Sequence, residues 1–233
     1  MTLTPTGYRP RVIDAELARC LKLFGAVEIR GPKWCGKTWA GLNQSVDEVY
    51  IADPSDGYVT RRLARLDPDS VLQGDHPLLV DEWQAAPGVW DAVRASVDRA
   101  PEPGRYILTG SAQPLLKDTV HSGTGRIVSI DMRPMTLFES GDSTAEVSLE
   151  ELFDNPGKKI RGRSSHKLDD IIALAVRGGW PRAVALIRGT VLSSHRRYIK
   201  SIVGGKDVEF EACGTRLPSL RCCCAPYLAI RPP

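Results

Sequence analysis

The chain has 233 residues, 42% hydrophobic and 25% charged, with a formal net charge of +3. That length suits one good-sized domain, or one domain with part of a second, and the balance excludes wholesale disorder. The small net charge neither requires nor forbids nucleic acid. No apolar run is long enough to cross a bilayer, residues 1–10 lack the charged-then-apolar order of a signal peptide, and the cysteines do not form a disulfide framework, so the expected location is the cytoplasm.

Residues 9–24 read as a helix. Val12, Ile13, Leu17, Cys20, Leu21 and Phe24 recur at helical spacing, and Gly25 stops it. Residues 26–30 make a short strand with Val27 and Ile29 on one face. Residues 48–52 make a second, ended by the breaker Asp53-Pro54-Ser55-Asp56-Gly57. Residues 58–66 look helical, and residues 77–80 are the compact apolar run of a strand buried on both faces. A helix over 89–99 and strands over 105–108 and 126–132 come next. Strands alternating with helices predict an α/β fold, a mostly parallel sheet flanked by helices.

Beyond Glu139 the character changes. Residues 144–153 are acidic and helical in pattern, and 155–166 read as a polar, exposed linker. Helical stretches over 168–176 and 182–198 are separated by Gly178-Gly179-Trp180-Pro181. The expected organisation is a sheet domain over 1–143, a linker over 144–166 and a helical region over 167–233.

The first strand runs into Gly31-Pro32-Lys33-Trp34-Cys35-Gly36-Lys37-Thr38, which fits the phosphate-binding pattern G-x-x-x-x-G-K-[ST]. The glycines let the backbone curl so that its N–H groups face phosphate oxygens. Lys37 brings a positive charge to the β and γ phosphates, and Thr38 offers a hydroxyl to Mg²⁺. With Trp39 in the next helix, Gly31 to Trp39 form the expected cradle of a nucleoside triphosphate. The side chains of Trp34 and Cys35 must point away from the phosphates. The Cys35 thiol, among N–H groups and beside Lys37, is either a filler or a group of lowered pKa.

The strand Leu78-Leu79-Val80 delivers Asp81 and Glu82 at its C-terminal end. Asp81 suits a Mg²⁺ ligand, and Glu82 a base that orients the water attacking the γ-phosphate. A base directly beside the metal-binding aspartate favours water as acceptor, hence hydrolysis. Tyr106-Ile107-Leu108-Thr109-Gly110-Ser111 ends in small hydroxyl residues, so Thr109 or Ser111 can meet the water or the γ-phosphate. Arg126, after Gly123-Thr124-Gly125, is either an arginine finger, on its own nucleotide or a neighbour's, or a surface residue opening a strand.

With these pieces in order, the chain resembles the bacterial and archaeal AAA+-type P-loop ATPases that carry an AAA 14 domain followed by a DUF4143 region. The resemblance rests on Tyr8-Arg9-Pro10-Arg11, GPKWCGKT, Leu63-Ala64-Arg65-Leu66-Asp67-Pro68, LLVDEWQ (78–84), Val97-Asp98, YILTGSA (106–112), GTGRIVSIDMRPMTLFE (123–139) and Arg177-Gly178-Gly179-Trp180-Pro181-Arg182-Ala183. It implies a strand order of 5-1-4-3-2, ATP as the nucleotide, and the roles given above for Lys37, Thr38, Asp81 and Glu82. It places Thr109 or Ser111 at a sensor position and Arg126 at a Gly-Arg position. A homo-oligomer or a protein partner is compatible with it.

Residues 216–233, RLPSLRCCCAPYLAIRPP, depart from the resemblance. Adjacent cysteines converge poorly on one tetrahedral metal ion. A frameshift is the preferred reading, because tandem Cys codons become Leu codons in a neighbouring register. The cluster Lys158-Lys159-Ile160-Arg161-Gly162-Arg163 reads as a solvated linker, with DNA phosphates as the alternative.

Overall fold

The computed structural model describes residues 1–110, 123–159 and 161–185. The chain divides into two compact units, the first Met1–Arg133 and the second from Pro134 onward. Among the described residues no helix is long and apolar enough to cross a membrane.

The first unit is built on five parallel strands: β1 (Ala26–Arg30), β2 (Asp47–Tyr50), β3 (Leu78–Asp81), β4 (Tyr106–Gly110) and β5 (Ile127–Asp131). Their spatial order is β2-β3-β4-β1-β5, the 5-1-4-3-2 order that the resemblance implies. Parallel neighbours need crossovers, and helices supply them on both faces. Among the described residues α2 (Lys37–Leu42) lies between β1 and β2, α3 (Val59–Leu66) between β2 and β3 and α4 (Gly88–Arg99) between β3 and β4, while α1 (Ile13–Leu21) precedes β1.

The alternation of side chains along each strand sorts the core into two layers. Val27 and Ile29 of β1, Leu79 of β3, Ile107 of β4 and Ile130 of β5 pack with Leu17 and Cys20 of α1 and Ala40 of α2. Leu78 and Val80, Tyr106 and Leu108, and Ile127 point the other way, onto Ala64 of α3 and Val89, Val93 and Val97 of α4. At about 25 cal/mol per Å² of apolar surface, burial on this scale is the main force holding the unit together. Glu28 breaks the apolar rule on β1. It is 7% exposed, accepts a hydrogen bond from Ser129 Oγ at 2.6 Å, and burial pushes its carboxyl above the usual range.

Among the element bounds that differ from the sequence reading, two have a local reason in the hydrogen bonding. The first helix starts at Ile13 rather than near residue 9. The Asp14 carboxylate accepts from the Arg11 N–H at 2.8 Å and from the Tyr8 hydroxyl at 2.6 Å, so the preceding turn closes onto a side chain. The second strand ends at Tyr50, because the chain turns directly afterwards, although the Ile51 N–H still reaches the Asp81 carbonyl at 3.1 Å.

The second unit holds α5 (Leu149–Asp154), α6 (Leu168–Arg177) and α7 (Pro181–Val184). Ser148 caps α5, and the Arg177 guanidinium reaches the Asp142 carboxylate at 2.7 Å. The acidic stretch is helical only from Leu149. Gly178, at φ 63°, closes α6 ahead of Pro181 at the start of α7. Lys158, in the basic cluster, is paired with Glu151. The expected continuation of a helix through residue 198, and the departing stretch 216–233, lie outside the described residues.

Candidate active site

All five strands are parallel, so their C-terminal ends gather on one edge of the sheet, where open α/β folds bind ligands. The chain leaves β1 at Arg30 into the P-loop. The strand pairing sets Arg30 opposite Gly110 and Asp81 opposite Thr109. The three motifs therefore meet on one edge.

Gly31 has no room for a side chain. A Cβ there would lie 2.2 Å from the Met132 carbonyl oxygen just beyond β5. Gly36 takes the left-handed conformation, at φ 105°, directly before α2. The loop thus curls against the exit of β5. Cys35 is fully buried, with its Sγ 3.8 Å from the Met132 carbonyl oxygen. Burial pushes its thiol up, outweighing the nearby Lys37 and Arg11 charges. The reading of Cys35 as a thiol of lowered pKa is therefore corrected, because desolvation of the thiolate dominates. Trp34, at φ 68°, is 54% exposed, and Trp39 is 47% exposed. Pro32 and Lys33 are also on the surface.

Lys37 is 5% exposed, and its ammonium donates to the Gly31 carbonyl at 2.9 Å and the Pro32 carbonyl at 3.0 Å. Burial holds its pKa below the usual lysine range, against the pull of the Cys35 thiol and the Glu82 and Asp81 carboxylates. Thr38 Oγ1 donates to Asp81 Oδ1 at 2.8 Å, and Thr109 Oγ1 donates to the same oxygen. Burial raises the Asp81 carboxyl, while these two hydroxyls favour its ionised form. A threonine hydroxyl beside one carboxylate is an oxygen donor set that fits Mg²⁺, which usually takes few protein ligands beside phosphate and water.

Glu82 comes next at φ 55°, ψ 44°, a conformation that non-glycine residues seldom adopt. One of its carboxylate oxygens accepts from the Gln84 amide. Glu82 and Asp81 face a cavity of about 290 Å³, lined also by Tyr50, Ala52 and Asp53.

Arg126 is at the other end of the sheet. Its carbonyl accepts from the Ala26 N–H, ahead of the Ala26–Ile127 pair, so the whole length of β1 separates it from the P-loop. Five residues at about 3.3 Å each put it about 16 Å away, beyond the reach of its side chain. Its Nε instead donates to Asp98 Oδ1 at 2.7 Å. The finger reading is corrected to this extent: Arg126 does not serve its own nucleotide. Ser111 lies outside the described residues.

Two residues that the sequence reading gave no role belong to the site. Arg11 is buried and donates to the Cys35 carbonyl, and Gln84 holds Glu82. Both sit in stretches that carry the resemblance, but nothing in their spacing marks them.

The AAA domain family, AAA 14, matches residues 24–140, half of the chain, and its span takes in the P-loop, the Asp81-Glu82 pair and Thr109. The chain belongs to this family. The matched span holds the parallel sheet and the phosphate-loop pattern described above. Two curated relatives, uncharacterized protein Rv2008c of Mycobacterium tuberculosis and uncharacterized protein Mb2031c of Mycobacterium bovis, are each 32% identical to it over 136 residues. That covers 57% of this chain and 30% of each relative, so the AAA domain protein matches less than a third of their length. Among solved structures, the Walker-type ATPase PABY2304 of Pyrococcus abyssi is similar, with a TM-score of 0.51 at 14% identity over 93% of this chain and 81% of that one. At that identity the likeness speaks for the fold.

Proposed function

We propose that the protein binds ATP with Mg²⁺ at the P-loop and hydrolyses it to ADP and phosphate. The observation that carries this reading is the meeting of three separate motifs on one atom. Thr38 from the P-loop and Thr109 from β4 both donate to Asp81 Oδ1 at the end of β3. An aspartate serving only as a polar strand end has no need of both.

In this reading the backbone from Gly31 to Thr38 and the start of α2 cradle the phosphates. Lys37 exchanges its two loop carbonyls for the β and γ phosphates. Thr38 and Asp81 hold Mg²⁺, which neutralises phosphate charge when bound. Glu82 accepts a proton from the attacking water, and Thr109 keeps Asp81 aimed. ATP rather than GTP rests on the family resemblance. We further propose that hydrolysis is coupled to conformational change in the DUF4143-like region from residue 167, or in a partner, and that Arg126 acts on the nucleotide of a neighbouring copy.

The test is phosphate release from Mg²⁺-ATP by the purified chain beside Lys37→Ala and Glu82→Gln. Loss of turnover in both variants, with binding kept in Glu82→Gln, is the expected result. A general base contributes about 10²–10⁴-fold, so the Glu82→Gln loss should fall in that range. Undiminished turnover in Glu82→Gln overturns the role of Glu82, and binding unaffected by Lys37→Ala overturns the site.

A further inference from the structure

We propose that Gln84 is a positioning residue for Glu82, holding one carboxylate oxygen so that the other faces the attacking water. The proposal rests on the hydrolytic reading of the site.

Glu82 is a non-glycine residue whose backbone is held in the left-handed region, and such strain persists only where surrounding structure enforces it. It opens the 3-10 turn Trp83–Ala85, which the Ala85 N–H closes onto the Glu82 carbonyl at 3.0 Å. The sharp turn carries Gln84 back over the side chain of the residue two before it, where its amide nitrogen donates to Glu82 Oε2.

The other end of the same amide is equally informative. Gln84 Oε1 is buried and accepts no hydrogen bond. An unsatisfied buried acceptor is costly, so an amide is a poor choice here unless its donating end is needed. The orientation is not free either, since turning the amide over would aim its oxygen at the carboxylate.

The pair is also tied to β4. A Cβ on Gly110 would lie 2.7 Å from Gln84 Oε1 and 3.2 Å from Trp83 Nε1. Gly110 follows Thr109, whose hydroxyl is on Asp81. One strand end thus supports both carboxylates, Asp81 through the Thr109 hydroxyl and Glu82 through Gln84, which packs into the space that Gly110 leaves. Glutamine at 84 and glycine at 110 are two parts of one support.

The experiment uses the full chain with Gln84→Met, which keeps the length of the side chain and removes the donor. Nucleotide affinity and kcat are measured separately. The expected result is a kcat lowered about ten- to a hundredfold, the scale on which a misplaced group costs rate, with affinity unchanged. Gly110→Ala reaches the pair from the opposite side. Its new methyl group meets the movable end of Gln84, and kcat is expected to fall in the same way. In a Glu82→Gln background, Gln84→Met is expected to cause no further loss, because residues acting as a unit are not additive.

A Gln84→Met variant with wild-type kcat, or a full additional loss in the Glu82→Gln background, overturns the proposal. So does a raised kcat, which makes Gln84 a latch rather than a support. Should the wild type show no turnover, the hydrolytic reading fails on its own. The contact is then judged by carbon-13 NMR of the Glu82 carboxyl, whose signal moves in Gln84→Met if the amide holds it and stays in place if it does not.

Discussion

The guanidinium of Arg11 donates to the main-chain carbonyl of Cys35, inside the P-loop, at 2.8 Å. A second nitrogen of the same group donates to the Arg133 carbonyl at 2.7 Å, just past β5. Arg11 stands before α1, so a residue outside the motif ties the phosphate loop to the last strand of the sheet. Arg11→Ala is expected to destabilise the fold by about 1–3 kcal/mol, the penalty for leaving a buried hydrogen-bonding group unpaired, and to weaken nucleotide binding. Arg11→Lys, with a single ammonium, should fall between. Thermal melts and titration with a fluorescent nucleotide check this, and full-strength binding by Arg11→Ala would remove Arg11 from the support of the loop.

Glu28 sets a pH dependence. Burial raises its folded pKa above that of the unfolded chain. The native state therefore holds the proton more tightly, and this contribution to stability is full below the ordinary carboxylate pKa and lost as pH rises through the raised value. Glu28→Gln keeps an acceptor for Ser129 and removes the ionisation. It is expected to melt above the wild type at neutral pH and to converge with it in acid. Parallel melting curves at every pH would show that Glu28 carries no such linkage.

Cys35 is expected to resist alkylation in the folded protein. Its thiol is fully buried and its pKa raised, so labelling near neutral pH should follow unfolding rather than thiolate chemistry. Added nucleotide should slow labelling only as far as it raises stability. Modification as fast as that of a free thiol would contradict the buried placement.

Arg126→Ala is expected to leave the nucleotide affinity of dilute protein unchanged, since the residue is at the far end of β1. Its partner there is Asp98, and both side chains are well exposed, so the melting temperature should move little. If Arg126 serves a neighbouring copy, the variant will lose only the part of turnover that grows with protein concentration. Weakened binding in the dilute protein would contradict the placement.

Much of the sheet was legible because its signals are local. The apolar runs ending at Val80 and Leu108 each announce a buried strand, as does the short strand ending at Arg30, and G-x-x-x-x-G-K-T marks the phosphate loop at the end of the latter. The support of the site was not legible, for two different reasons. Arg11 finds its partners 24 and 122 positions away, a relation that no window contains. Gln84 is only two residues from Glu82, but their contact depends on a left-handed glutamate that no propensity would assign. The placement of Arg126 was open to reasoning. A residue that opens a parallel strand must lie at the end of the sheet away from a loop that closes one.

The contact between the P-loop and the exit of β5 also bears on which changes of chain length the protein tolerates. Gly31 and Cys35 abut the carbonyl of Met132, 97 positions beyond Cys35. Inserting or deleting one residue within β5 would slide that carbonyl by about 3.3 Å and turn the strand's inward side chains out. The eight residues of the motif would all remain, yet the wall they lean on would be gone. Homologues should therefore keep the count of residues from Ile127 to Met132 fixed.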